Sequence, residues 1–230
     1  MKHSALWLVL SLFSATALVQ GAELVSDEAF SLVQPFSVSG ANPRAWGSNL
    51  SFGPWHTAKA VRGPTLGFGL KLLGVSLGYS SQTYQLSLTD GTSWQHMECI
   101  SAAVTGAKDG WTLDLSLGEK PVFACGIQGK VNSTMALKAK WNNKLEGISK
   151  LSDRKVSIRS LHQLKGAAFE SMDPVGYLLS DHRGPLAQVE LINSGKVWIS
   201  PSLPANIQLE LAALMAALLL YVPDNINEEL

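Results

Sequence analysis

The chain has little of what usually discloses a function. It carries no excess of either charge, with 18 Lys and Arg against 18 Asp and Glu in 230 residues. Such balance provides no long-range field to gather nucleic acid or an anionic surface, so no nucleic-acid partner is expected. Cysteine is scarce: there are two, Cys99 and Cys125, with no histidine at ligand spacing, and that excludes a zinc site. After the first thirty residues the histidines are His56, His96, His162 and His182. None stands two or four residues from another ligand, and no pair of carboxylates has informative spacing. No catalytic set, metal or cofactor is therefore expected. Domain linkers, long charge runs and internal repeats are also missing, which predicts one folding unit.

The N-terminus has the composition of a secretory leader. Met1-Lys2-His3-Ser4 is short and positive, Ala5 to Val19 is an apolar run, and Gln20-Gly21-Ala22 brings small residues just before Glu23. That pattern predicts a signal peptide over 1–22, cut after Gly21 or Ala22, and a secreted or periplasmic protein; an uncleaved anchor is the alternative. The mature chain, residues 23–230, is long enough for one good core. In an oxidising compartment Cys99 and Cys125 are expected to form one disulfide between neighbouring strands, two buried thiols being the alternative.

Glu23 to Gly47 shows no period and reads as an extended leader segment packed on the fold. Gly53 to Gly78 is glycine-rich, which suits bent strands and tight turns. Alternation then takes over. Tyr84, Leu86 and Leu88 alternate with polar residues, Asp90-Gly91 is a hairpin signal, and Trp94 to Ala103 reads as the returning strand. Further strands are expected at Trp111–Leu117, Val122–Ile127, Met135–Trp141, Leu145–Leu151, Val156–Leu164, Val175–Leu179, Ala187–Leu191 and Val197–Ile199. Ten to twelve strands joined by local turns indicate an antiparallel meander.

The chain then changes character. Pro204 to Val222 predicts a helix that is apolar nearly all round, with Ser202 as its cap and Pro223 as its stop. Its uninterrupted apolar part, Leu211–Val222, is about 18 Å long, short of the roughly 30 Å hydrocarbon core. Ala212, Ala213, Ala216 and Ala217 form a slim strip beside bulky leucines. A helix like this must be enclosed, and a barrel or a cleft between sheets would enclose it; membrane insertion and a partner's groove are the alternatives. The expected fold is mainly β, a meander closing into a barrel around a buried C-terminal helix.

That pattern is carried by Gly176-Tyr177-Leu178-Leu179, Pro185-Leu186-Ala187-Gln188-Val189, Lys196-Val197-Trp198-Ile199 and the helix Leu209–Leu220. Over about residues 168–222 it resembles the tubby-like group, which includes the tubby C-terminal domain, the LURP-one-related proteins and the phospholipid scramblases. The resemblance implies a closed barrel threaded by an apolar C-terminal helix. It implies no site residues and no lipid scrambling, because the basic phosphoinositide-binding residues and the cysteine-rich segments of that group have no counterparts here.

One catalytic pattern does occur. Gly74-Val75-Ser76-Leu77-Gly78 matches G-x-S-x-G, a strand-to-helix elbow in the α/β-hydrolases. No helix is expected after it and no βα units surround it, so a bent strand is the plainer reading; His162 and His182 are the candidate partners of Ser76. Asn132-Ser133-Thr134 fits a glycosylation sequon. Trp46, Phe52 and Trp55 suggest a ligand platform or, more simply, core packing. The leading functional expectation is an exported, non-enzymatic binding or structural module whose partner is a protein, a lipid or an envelope component. The alternatives are a serine hydrolase using Ser76 and a membrane-attached envelope protein using the terminal helix.

Overall fold

The computed structural model describes residues 22–41, 49–63, 71–72, 75–76, 82–101, 121–130, 132–140 and 143–221. The strand expected at Trp111–Leu117 and Trp46 of the aromatic cluster lie outside them. A short 3-10 turn, Glu28–Phe30, precedes strands β1 (Phe36–Ser37), β2 (Ser51–Phe52), β3 (Trp55–Gly63), β4 (Lys71–Leu72), β5 (Val75–Ser76), β6 (Gln82–Thr89) and β7 (Trp94–Ser101). Then follow β8 (Pro121–Gln128), β9 (Ser133–Ala139), β10 (Leu145–Leu151), β11 (Arg154–Leu161), β12 (Gly176–Asp181), β13 (Gly184–Glu190), β14 (Lys196–Ile199) and helix α1 (Ala205–Leu220).

Twelve of these strands form one antiparallel sheet, in the order β1-β14-β13-β12-β11-β10-β9-β8-β7-β6-β3-β2. Its two edge strands meet just beyond β1. Ser39 and Ser51 exchange both backbone hydrogen bonds at 2.9 Å, and their hydroxyls lie 2.7 Å apart. That bridge brings the sheet round into a nearly closed barrel.

Local chemistry sets the register of the meander. At the β6–β7 hairpin the Asp90 carboxylate accepts the backbone N–H groups of Thr92 and Ser93 and the Thr92 hydroxyl, each at 2.8 Å. The two N–H donors, Thr92 first, hold its carboxyl below the usual aspartate range. Asn143, Ser152 and Asn193 take the left-handed conformation in the connections after β9, β10 and β13. The β7–β8 register sets Cys99 directly opposite Cys125, and the two form the expected disulfide, with Cα atoms 4.0 Å apart. Both cysteines are buried in the barrel core.

Helix α1 fills the barrel. It touches β6, β7, β10, β13 and β14, strands spread round the ring. Every residue from Leu209 to Leu220 is buried, Leu214 and Leu218 fully. Among the described residues no helix is long and apolar enough to cross a membrane. The attachment role considered for α1 needs its leucines to face lipid, and they face strands instead.

The helix start differs from expectation. Pro204, not Ser202, occupies the N-cap, and no side-chain cap hydrogen bond forms. The Ser202 hydroxyl lies 2.9 Å from that of Ser200, while Gln208 Nε2 donates to the Leu203 carbonyl at 2.8 Å. Pro204 has no N–H to satisfy, so the end needs one donor partner fewer. Deeper in, the buried carboxylate of Glu210 accepts from the hydroxyls of Ser133 at 3.1 Å and Ser152 at 2.9 Å. These bonds tie α1 to β9 and to the β10–β11 turn.

Phe52 and Trp55 pack in the core at 5.7 Å, with Phe36 edge-on to Trp55 at 5.5 Å. Their rings are packing and not a ligand platform. Tyr221 leaves the helix and stacks on Phe123 at 4.3 Å. Tyr177 is wholly buried, and desolvation first, then Tyr221, pushes its phenol well above the ordinary value.

Two outcomes test this packing. Leu214→Ala, which leaves a void beside the strands, lowers the unfolding free energy by about 2–5 kcal/mol, and Ala216→Leu, which overfills the slim side, by about 1–3 kcal/mol; urea titration reads both. The paired substitution Cys99→Ala with Cys125→Ala costs about 2–4 kcal/mol, a loss that reductant reproduces in the wild-type chain once it is unfolded.

Candidate functional site

Among the described residues α1 occupies the barrel interior, and the cleft that stands out lies on the outside of the sheet. The outer face of β11–β14 provides the foundation. Two cross-strand rows run over it, Arg159–Leu178–Gln188–Trp198 and Leu161–Gly176–Glu190–Lys196. Alternation along β13 suggests that Gln188 and Glu190 face water. They are buried instead, because residues 22–33 cross both rows as a strap. Glu190 Oε2 accepts the Leu24 N–H at 3.0 Å, and Gln188 Oε1 accepts the Asp27 N–H at 2.9 Å. Phe30 then packs on Leu178 and Trp198. At Gly176 an added Cβ would meet the Val189 carbonyl oxygen at 2.4 Å and the Leu24 side chain at 2.7 Å. The missing side chain is what lets the strap lie so close.

The strap stops short of covering the wall completely. Between Leu24–Glu28, the start of β10, the end of β11 and the connection after it lies a half-open cleft of about 470 Å³. Its rim is charged. Lys144 pairs with Glu170 at 2.9 Å, and Arg159 approaches Asp27 at 3.9 Å. The hydrogen bond from Lys144, followed by its charge, holds the Glu170 carboxyl below the usual range.

The cleft floor contains a three-part hydrogen-bond relay. His162 Nδ1 lies 2.9 Å from the Ser171 carbonyl oxygen, which can only accept, so Nδ1 carries the proton. In the neutral ring Nε2 is then an acceptor, and the Ser160 hydroxyl 2.8 Å away donates to it. Ser160 Oγ in turn accepts the Leu145 N–H at 2.8 Å. The Ser171 N–H donates back to the His162 carbonyl at 2.7 Å. Together these bonds clamp the base of the loop 163–170, while Gln163 Nε2 braces its interior through the Ala167 carbonyl at 2.9 Å. Beside this clamp stand two bare apolar side chains, Phe169 and Met172, 85% and 75% exposed.

Hydroxyl, imidazole and carbonyl occur here in the order of a nucleophile, its base and an orienting group. The Ser160 oxygen, however, already receives a strand N–H, and His162 is buried. The arrangement acts as a stitch between β10, β11 and the loop. Sequence reasoning had weighed His162 only as a partner for Ser76. The missed signal is Ser160-x-His162, two residues apart and so on one face of the chain as it leaves β11.

The remaining candidates are dispersed. Val75–Ser76 forms β5, paired with β4 in a separate two-stranded sheet; the Ser76 side chain, Gly74, Leu77 and Gly78 lie outside the described residues. His182 is exposed in the β12–β13 turn and accepts from Arg183 Nε at 3.3 Å. His96 Nδ1 meets the Ser87 hydroxyl at 2.8 Å across the β6–β7 pair. Asn132 is exposed, and the next residue of its sequon, Ser133, is buried against Glu210. Among the described residues no cluster of three or more His, Cys, Asp or Glu could hold a metal ion.

These features define a class, a twelve-stranded antiparallel barrel filled by its C-terminal helix and strapped on the outside beside a charged cleft. No protein family, curated protein or solved structure matches the chain.

Cutting the relay tests its role as a stitch. Ser160→Ala removes the acceptor of the Leu145 N–H and the donor to His162, and is expected to destabilise the protein by about 1–3 kcal/mol. Limited trypsin digestion should then cut at Lys165 sooner than in the wild type, with the barrel core left intact.

Proposed function

We propose that this chain is an exported, non-enzymatic binding module that holds its partner in the cleft between strap and barrel wall. The observation that carries the reading is the juxtaposition of that polar cleft with an apolar tip, Phe169 and Met172, on a loop anchored by buried hydrogen bonds. Large bare apolar side chains held on a braced loop favour a partner surface. The partner would place a polar group among Lys144, Arg159 and Glu170 and an apolar group against Phe169. A folded or extended polypeptide of the cell envelope provides both.

Export is supported by the leader-like composition of residues 1–22 and by a buried disulfide, which suits an oxidising compartment. The tubby-like resemblance is supported at the level of architecture, in the barrel and its enclosed helix.

A photo-crosslinking residue placed at Phe169 in the exporting cell tests the reading, with Lys155, on the far groove beside Arg154 and Asp181, as control. A discrete adduct from position 169 and none from 155 is expected. Equal yields from both positions would remove the cleft as the binding site. A fluorophosphonate probe is expected to leave the chain unlabelled; a label lost in Ser76→Ala or Ser160→Ala would replace the binding module with a hydrolase.

A further inference from the structure

The strap hides a carboxylate whose hydrogen bonding is half complete. Glu190 is 1% exposed on the outer face of β13. Its Oε2 accepts the Leu24 N–H, but its Oε1 is buried and accepts no hydrogen bond. The nearest cation, Lys196 Nζ, stands 3.9 Å from Oε1 and is shared with Glu23 at 3.5 Å. A buried carboxylate oxygen without a donor is costly, and such an orphan calls for an explanation.

The backbone nitrogen next to the bond already made, one residue upstream, is the candidate for the missing donor. The strap is held from Glu23 onward. The Glu23 carbonyl accepts the Lys165 N–H at 2.7 Å, Leu24 bridges Leu164, and the Val25 N–H reaches the Gln163 carbonyl at 3.1 Å. Among the described residues one anchor falls before that point, from Asn193 Nδ2 to the Ala22 carbonyl at 2.8 Å. The backbone nitrogen of Glu23 precedes that of Leu24 by a single residue, within about 3.8 Å of chain. In an uncut chain that nitrogen is an amide with one proton and no charge. If the chain started there it would be an ammonium with three donors.

We propose that the leader is cut between Ala22 and Glu23, and that the Glu23 ammonium so released docks on the Glu190 carboxylate. A leader peptidase adds water across the peptide bond. The hydroxyl goes to the Ala22 carbonyl, which departs as a carboxylate with the leader, and the Glu23 nitrogen gains protons to become an ammonium. Two carboxylates, Glu23 and Glu190, then face three cations: the new terminus, Lys165 and Lys196. The cut thereby completes the hydrogen bonding of Glu190 and seals the strap along one wall of the cleft. This rests on the export reading; the choice between the two cut positions and the docking of the terminus go beyond it.

The test begins with the intact mass of the protein recovered outside the cytoplasm from its own leader. A start at Glu23 is expected; failure to recover the protein outside the cytoplasm would overturn the export reading itself, whereas a retained leader or a start elsewhere would overturn this cut alone. The folded, processed protein is then treated with 2-pyridinecarboxaldehyde, which labels free α-amines. Labelling is expected to be slow in buffer and fast in urea, and equally fast labelling in both would sink the docking while the cut survived. A chain carrying a Gly-Ser extension before Glu23 should melt about 2–8 °C below the processed one. In Glu190→Gln that difference should vanish. An equal Tm with and without the extension, or a difference that persists in Glu190→Gln, contradicts the pairing. If Glu190→Gln does not fold, the labelling comparison decides by itself.

Discussion

Everything in this molecule depends on reciprocal burial between one helix and a ring of strands. A twelve-stranded barrel encloses more space than short side chains fill, since diameter grows with strand number. An apolar helix without a polar face has no stable place in water. Each provides what the other lacks. A helix is about 10–12 Å across with its side chains, and the alanine strip at Ala212, Ala213, Ala216 and Ala217 narrows it on one side. Each fully buried leucine contributes about 1.5–3 kcal/mol, so the run from Leu209 to Leu220 accounts for a large share of the driving force. The one acidic group on the buried part, Glu210, is tolerated because Ser133 and Ser152 satisfy it at the barrel end.

Filling the lumen has a functional consequence. Barrels with open interiors hold ligands inside, whereas among the described residues the interior of this one is taken by α1. The N-terminal strap changes what that surface is. It turns Gln188 and Glu190 from solvent-facing residues into buried ones, and its edge makes one wall of the cleft. The other wall is the loop after β11, held at its base by the relay of Ser160, His162 and Ser171. Strap and loop both depend on buried polar contacts, which are directional and fix position more closely than apolar packing does. That is a suitable frame for a recognition surface.

Much of the fold was legible because its signals are local. Period-two alternation at Tyr84–Leu88 and Met135–Ala139 follows from strand geometry alone. The turn at Asp90-Gly91 rests on a side chain bonding the N–H groups two and three residues on. The alternation in β13 marks a strand and puts Gln188 and Glu190 on one face, but burial of that face comes from residues more than 150 positions earlier. The cap at Ser202 was misplaced for a smaller reason. A serine near a helix start is a good acceptor only if the chain enters at the right angle, and here Pro204 sets that angle. The candidate site was hardly legible at all. Ser160 and His162 are two residues apart, but their meaning depends on Leu145 and Ser171 being brought to them.

The sequence by itself determined that this would be a β-meander with one helix needing cover, and that its two cysteines lie in strands, where a bond between neighbours is one of two outcomes. Those conclusions follow from periodicity, turn chemistry and the apolar length of Leu211–Val222, which neighbours along the chain settle. Only the tertiary structure decided that the helix lies inside the ring, that Cys99 stands directly opposite Cys125, and that the N-terminal segment lies across β13 with Glu190 beneath it. Each of these is a register or a contact between distant segments. Strand alternation says which face a residue takes, but which partner covers that face depends on how the whole ring closes.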